Sequence, residues 1–180
     1  MNIGYAVSDF FLALACLVIA VRTRHERPGV ALACATVGAA ACVGVLRFSG
    51  LEVVGAHQFL SLVGGTAALP LLATTFVLPD SKPAENAREA SLMLLVCAAL
   101  GIAFVAGGGY TLWGKALPAA SALAIFGGNL YRDRPLGVLG AVVLLATFGA
   151  VSSNLTSIAG LAPIEVLHYG MAAAFLLLCL

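Results

Sequence analysis

Charge is what this chain lacks most: only 9% of its 180 residues are Asp, Glu, Lys or Arg, against about 25% in a soluble globular domain. So few charges cannot furnish a water-facing surface, and a soluble enzyme or scaffold is excluded. The formal net charge of +1 leaves no basic field to hold nucleic acid. The five cysteines, Cys16, Cys34, Cys42, Cys97 and Cys179, never stand as Cys-x-x-Cys, which argues against a structural zinc site and a disulfide framework. They read as small buried apolar residues. Gly-x-Ser-x-Gly, His-Glu-x-x-His and P-loop signatures are missing as well, and with them go soluble hydrolase, zincin and nucleotide-driven mechanisms. The N-terminus carries no basic stretch and no small-residue cleavage site ahead of Arg22, so the opening segment reads as a retained helix.

What the chain has is apolar length. It is 62% hydrophobic with a mean hydropathy of +1.07, and a span needs about 20 apolar residues. Charges interrupt the apolar sequence into seven stretches, at about 4–21, 29–47, 57–78, 90–107, 112–130, 136–153 and 163–180. The expected fold is an all-α polytopic membrane bundle of seven transmembrane helices in one domain, 1–180. Seven of the nine Lys and Arg residues fall in the connections around Arg22–Arg27, Lys82–Arg88 and Arg132–Arg134. By the positive-inside rule that end is cytoplasmic, with the N-terminus outside and the C-terminus inside a bacterial-type inner membrane.

The sequence also repeats. His25-Glu26-Arg27-Pro28 after the first stretch matches Arg132-Asp133-Arg134-Pro135 after the fifth, and each leads through a Gly- and Val-containing helix to a span that opens with His, His57 or His168. The plan is three helices, a link and three more: repeat 1 at about 1–79, the linking helix at about 90–107 and repeat 2 at about 111–180. An even step between equivalent helices makes this a parallel repeat about an axis along the membrane normal.

Polar residues inside such spans are costly unless paired, and they are site candidates for that reason. Asp9, His57, Asn154, Glu165 and His168 all fall at the outer level. Asp9, His57 and His168 suit a divalent metal such as zinc, and three protein ligands with one open position would be catalytic. Glu165 and His168 share a helix face, and Asp9 and Glu165 are the candidate general acid and base. Ser61, Asn154 and Tyr169 are candidate pocket residues, Lys115 a snorkelling cation that can reach Asp9, and Arg47 and Glu52 loop charges. Two histidines on facing helices could also serve as axial ligands of a haem.

With an acid, a Ser and histidines on early and last helices, the chain resembles the superfamily of alkaline ceramidases and progestin/adipoQ receptors. The resemblance implies a seven-helix membrane amidase with a His-bound zinc, carrying over onto His57 and His168 as ligands. Those proteins set Ser three residues before the early His and a His-x-x-x-His pair on the last helix, whereas here His57 precedes Ser61 and the last helix opens Glu165-Val166-Leu167-His168. The three-one-three plan also resembles sugar-transporting seven-helix proteins, without their Pro-Gln motifs. The expected function is metal-dependent hydrolysis of a lipid-like amide or ester in an outward-facing pocket, with two alternatives: a small-molecule or proton-coupled transporter, and a noncatalytic subunit packing against a membrane protein partner.

Overall fold

The computed structural model describes residues 2–153 and 155–179, and for residues 110–113 the backbone alone. Among the described residues eight helices follow one another: α1 (Ile3–Thr23), α2 (Pro28–Phe48), α3 (Val54–Val77), a short α4 (Lys82–Glu85), α5 (Ala87–Ala106), α6 (Tyr110–Tyr131), α7 (Pro135–Ser152) and α8 (Pro163–Cys179). No strand occurs among the described residues. Helices α1, α2, α3, α5 and α7 are each long and apolar enough to cross a bilayer, which makes this a membrane protein. Helix α6 runs unbroken through Lys115 and Pro118, and α8 has 17 described residues. Five of the seven apolar stretches of the sequence coincide with these spanning-length helices, α6 and α8 lie at the other two, and α4 is an addition that the pattern did not announce.

Local chemistry sets the helix ends. Asn2 caps α1 by accepting from the Tyr5 N–H at 3.4 Å, and Asn86 caps α5 by accepting from Arg88 N–H at 2.8 Å; short polar side chains do this at helix starts because the first N–H groups have no partner of their own. Pro28, Pro135 and Pro163 open α2, α7 and α8, where a missing N–H costs nothing. Asp133 closes the α6–α7 turn at φ 53°, a left-handed conformation that Asp tolerates better than most side chains.

Helix α3 is not uniform. Between Gly64 and Ala68 it widens into a π segment, in which the Leu69 N–H donates to Gly64 O. Pro70 follows directly, so the helix has already loosened where the proline ring must be accommodated.

Six helices close a ring in the order α1, α2, α3, α6, α7, α8 and back to α1. The α3–α6 seam is made mainly from the π segment onwards, where Gly65 meets the Pro118 ring at 3.5 Å from the position of an added Cβ. In lipid, close packing replaces the hydrophobic effect as the force between helices, and small residues permit it. Gly140 shows this: a Cβ there would stand 2.9 Å from the Ala174 carbonyl oxygen of α8. The half of the ring nearer the basic connections is filled by Cys16, Ile19, Val30, Cys34, Leu72, Phe76, Ile125 and Phe175, all buried.

Helix α5 stands outside the ring. It touches α2, the π segment of α3 and α6, with Thr66 occupying the space a Cβ on Gly101 would need. Most of its surface is exposed. The cysteines also divide: Cys16 and Cys34 are buried as expected, whereas Cys42 is exposed on α2 and Cys97 and Cys179 are half-buried.

Candidate functional site

At the end of the ring away from the basic connections, the six ring helices enclose a cavity of about 530 Å³. None of its lining comes from α5. Its walls are mainly aliphatic and glycine, including Leu12, Val37, Leu145 and Met171, and Asp9, His57 and His168 project among them. Exposed Ser61, Lys115 and Ser152 form its rim. The cavity ends where the packed apolar residues of the other half begin.

Four helices, α1, α2, α3 and α8, fix the polar wall. Asp9 is 1% exposed, and helix α1 holds it opposite α8 so that Asp9 Oδ1 lies 3.1 Å from His168 Nδ1. Ser8 Oγ reaches the same nitrogen at 3.1 Å and donates its own proton to the Tyr5 carbonyl at 3.0 Å. With the hydroxyl proton so committed, His168 Nδ1–H is the donor, shared between Ser8 Oγ and Asp9 Oδ1. This leaves His168 Nε2 as an acceptor.

The second imidazole is held differently. Arg47 Nη1 lies 2.9 Å from His57 Nδ1, and since a guanidinium can only donate, that nitrogen accepts and the ring proton sits on Nε2. Gly44 on α2 makes room for both sites: a Cβ there would run into the Asp9 Oδ2 oxygen and lie 3.0 Å from His57 Nε2. Asp9 Oδ2 and the His57 N–H therefore reach the same small space from opposite helices. Asp9 Oδ2 is buried with no hydrogen-bond partner, which is costly unless a proton, a water or a ligand group meets it.

The sequence candidates scatter around this wall. Asp9, His57, His168 and Ser61 line the cavity. Glu165 does not: its Oε2 accepts from the Ala162 N–H at 2.7 Å, a helix-start contact of the capping-box kind, and its other oxygen packs over Gly4. Tyr169 stacks against Phe11 with ring centroids 6.0 Å apart and is not among the lining residues. Asn154 lies outside the described residues. Lys115 lines the cavity and makes no ion pair with Asp9 among the described residues. Arg47, expected as a loop charge, is in the last turn of α2 and is a partner of the site.

No protein-family model, curated protein or solved structure matches this chain. The chemistry therefore rests on the geometry.

For metal binding the geometry offers little. Among the described residues no group of three or more His, Cys, Asp or Glu side chains converges as ligands. His57 Nδ1 is taken by a cationic guanidinium and His168 Nδ1 by Asp9 and Ser8. For acyl transfer the order of groups is also unfavourable, since a triad needs the acid and the hydroxyl on opposite nitrogens of one imidazole. Here both meet Nδ1. Arg47 lies three residues beyond Gly44 in the same helix and so shares its face, but nothing in the sequence signals that Asp9 and His57 meet that face.

Proposed function

We propose that this chain is a seven-span membrane carrier of a small, predominantly apolar molecule with one polar end, whose passage is linked to a proton on the Asp9–His168 pair. The supporting observation is the cavity: all six ring helices line it, it reaches an apolar plug part-way down the ring, and Asp9, deeply buried in its wall, has one oxygen without a hydrogen-bond partner. Its volume of about 530 Å³ lies within the range of small-molecule sites, about 300–1,000 Å³.

The ring supports the three-one-three plan. Exchanging α1, α2, α3 with α6, α7, α8 maps each neighbouring pair onto another: α1–α2 onto α6–α7, α2–α3 onto α7–α8, and α3–α6 onto α8–α1. Two halves related in this way can rock about a common axis and expose a site to each side in turn. The two equivalent seams differ in the present arrangement. Ser8, Asp9 and His168 fasten α1 to α8 near the cavity mouth, whereas α3 and α6 meet chiefly below it. Ser61 and Lys115 stand exposed at that gap, which gives an amphipathic molecule a sideways entrance. The positive-inside rule makes this the outward-open state.

A hydrolase acting on a lipid-like amide or ester has less support, because no group of three or more metal ligands converges among the described residues and Ser8 meets the same His168 nitrogen as Asp9. The two readings separate on motion. Cys34, buried in the plug, serves as reporter after the other four cysteines are changed to alanine. In oriented vesicles a membrane-impermeant thiol reagent is applied from the basic side, at neutral and acidic pH, to the Asp9 protein and to Asp9→Asn. Acid or the neutral side chain is expected to raise Cys34 labelling severalfold. If Cys34 stays unlabelled from that side in every condition, the cavity is a fixed pocket and the carrier reading fails.

A further inference from the structure

A second cavity, of about 370 Å³, lies at the opposite end of the ring. It is built on the two connections that repeat in the sequence. Arg27 comes from the turn between α1 and α2, Arg134 from the turn between α6 and α7, and both line it together with Asn129, Asp133 and the first turn of α7.

Its groups are poorly matched to one another. Arg27 stacks over the Phe76 ring with its guanidinium carbon 4.9 Å from the centroid. Burial is the largest influence lowering Arg27 from the usual arginine range, and the charge of Arg134 acts in the same direction. Among the described residues neither arginine makes an ion pair, with Asp133 or with any other acid. The first-turn N–H groups of α7, at Leu136 and Gly137, have no acceptor within the helix, and the dipole there favours negative charge.

Asn129 adds an independent sign. It is 1% exposed, its Nδ2 donates to the Ile125 carbonyl at 2.9 Å, and its Oδ1, seated over Gly137, has no partner. An unpaired acceptor in the wall of a cavity rich in donors suits a ligand that brings anionic oxygens and one hydrogen-bond donor together.

We propose that this cavity is a binding site for phosphate itself or for a phosphate monoester held in its singly protonated form: the anionic oxygens lie between Arg27 and Arg134 at the start of α7, and the remaining P–OH donates to Asn129 Oδ1. Guanidinium groups recognise such oxygens with paired hydrogen bonds. Because the two arginines belong to opposite halves of the ring, a bound phosphate ties those halves together at this end. The site is independent of the carrier reading and of the Asp9 cavity.

Two sources offer this chemistry, a soluble phosphate and the headgroup of phosphatidic acid. The protein is reconstituted in phosphatidylcholine nanodiscs and titrated with radiolabelled inorganic phosphate; in a second arm the discs contain phosphatidic acid, and retained lipid is counted by native mass spectrometry. One saturable site is expected in at least one arm, and the arm that shows it names the source. Arg27→Gln and Arg134→Gln are each expected to weaken it at least tenfold, with Arg88→Gln unchanged and the two lysine variants intermediate. Sulfate, which has no proton to give Asn129 at neutral pH, is expected to compete at least fivefold less well than phosphate, and Asn129→Ala to erase that preference. No saturable site in either arm overturns the proposal, as does a site that monodisperse glutamine variants retain in full. If those variants do not fold, equal competition by sulfate and phosphate in the native protein overturns it.

Discussion

Gly44→Ala is the smallest change that tests the polar wall. The added methyl group arrives where Asp9 Oδ2 already sits, and it also comes within 3.0 Å of His57 Nε2. Asp9 cannot turn away freely, since its other oxygen is held 3.1 Å from His168 Nδ1. Overpacking of this kind costs about 1–3 kcal/mol, while alanine in place of glycine inside a helix gains about 1 kcal/mol. Gly127→Ala, whose new methyl meets nothing within 4 Å, reports the gain alone. The difference between the two substitutions therefore isolates the collision at about 1–3 kcal/mol, or about 3–10 °C in unfolding temperature for a chain of this length. Thermal unfolding in one detergent, with Asp9→Ala alone and combined with Gly44→Ala, completes a cycle in which removing the carboxylate is expected to remove the penalty. Equal unfolding temperatures for Gly44→Ala and Gly127→Ala, or a penalty that survives Asp9→Ala, would falsify the arrangement of Asp9 and His57 around Gly44.

Two further outcomes follow from other contacts. Nitrogen NMR of labelled histidine is expected to find neutral His57 with its proton on Nε2, and Arg47→Ala, which removes the 2.9 Å donor, to admit the other tautomer and to cost about 1 kcal/mol; a Nδ1-protonated His57 beside an intact Arg47 contradicts the assigned bond. Gly101→Ala, whose methyl group collides with Thr66 in the π segment, is expected to destabilise by about 1–3 kcal/mol and to be largely rescued by Thr66→Ala, both read by thermal unfolding. Failure of the rescue would remove that contact as the anchor of α5.

Helix positions were legible because charges and prolines punctuate long apolar runs: Pro28, Pro135 and Pro163 stand at helix starts in sequence and structure alike. Asp9, His57 and His168 were legible as a set, because ionisable groups in apolar segments are conspicuous wherever they occur. The partners were not. Arg47 looked like a connection charge since it stands one residue before the end of α2, where a boundary error of a single turn changes its surroundings. Gly44 is one of 20 glycines, and nothing in its neighbours in sequence reveals that a carboxylate from another helix fills its missing side chain. Glu165 misled for the opposite reason: three residues from His168 it shares a helix face, yet the free N–H of Ala162 is closer and claims it. The π segment had no announcement beyond Gly64, Gly65 and Pro70, residues that serve many purposes.

Because α5 lines no part of the main cavity and contributes little to closing the ring, severing the chain at the Gly107–Gly109 turn would leave every wall available to be rebuilt from two fragments. On the seven-span reading, what α5 supplies is parity: one additional crossing lets the second trio enter the bilayer in the same direction as the first. Two identical three-helix ancestors joined end to end would have faced opposite ways, and a single, otherwise idle helix is the least a fusion needs to correct that.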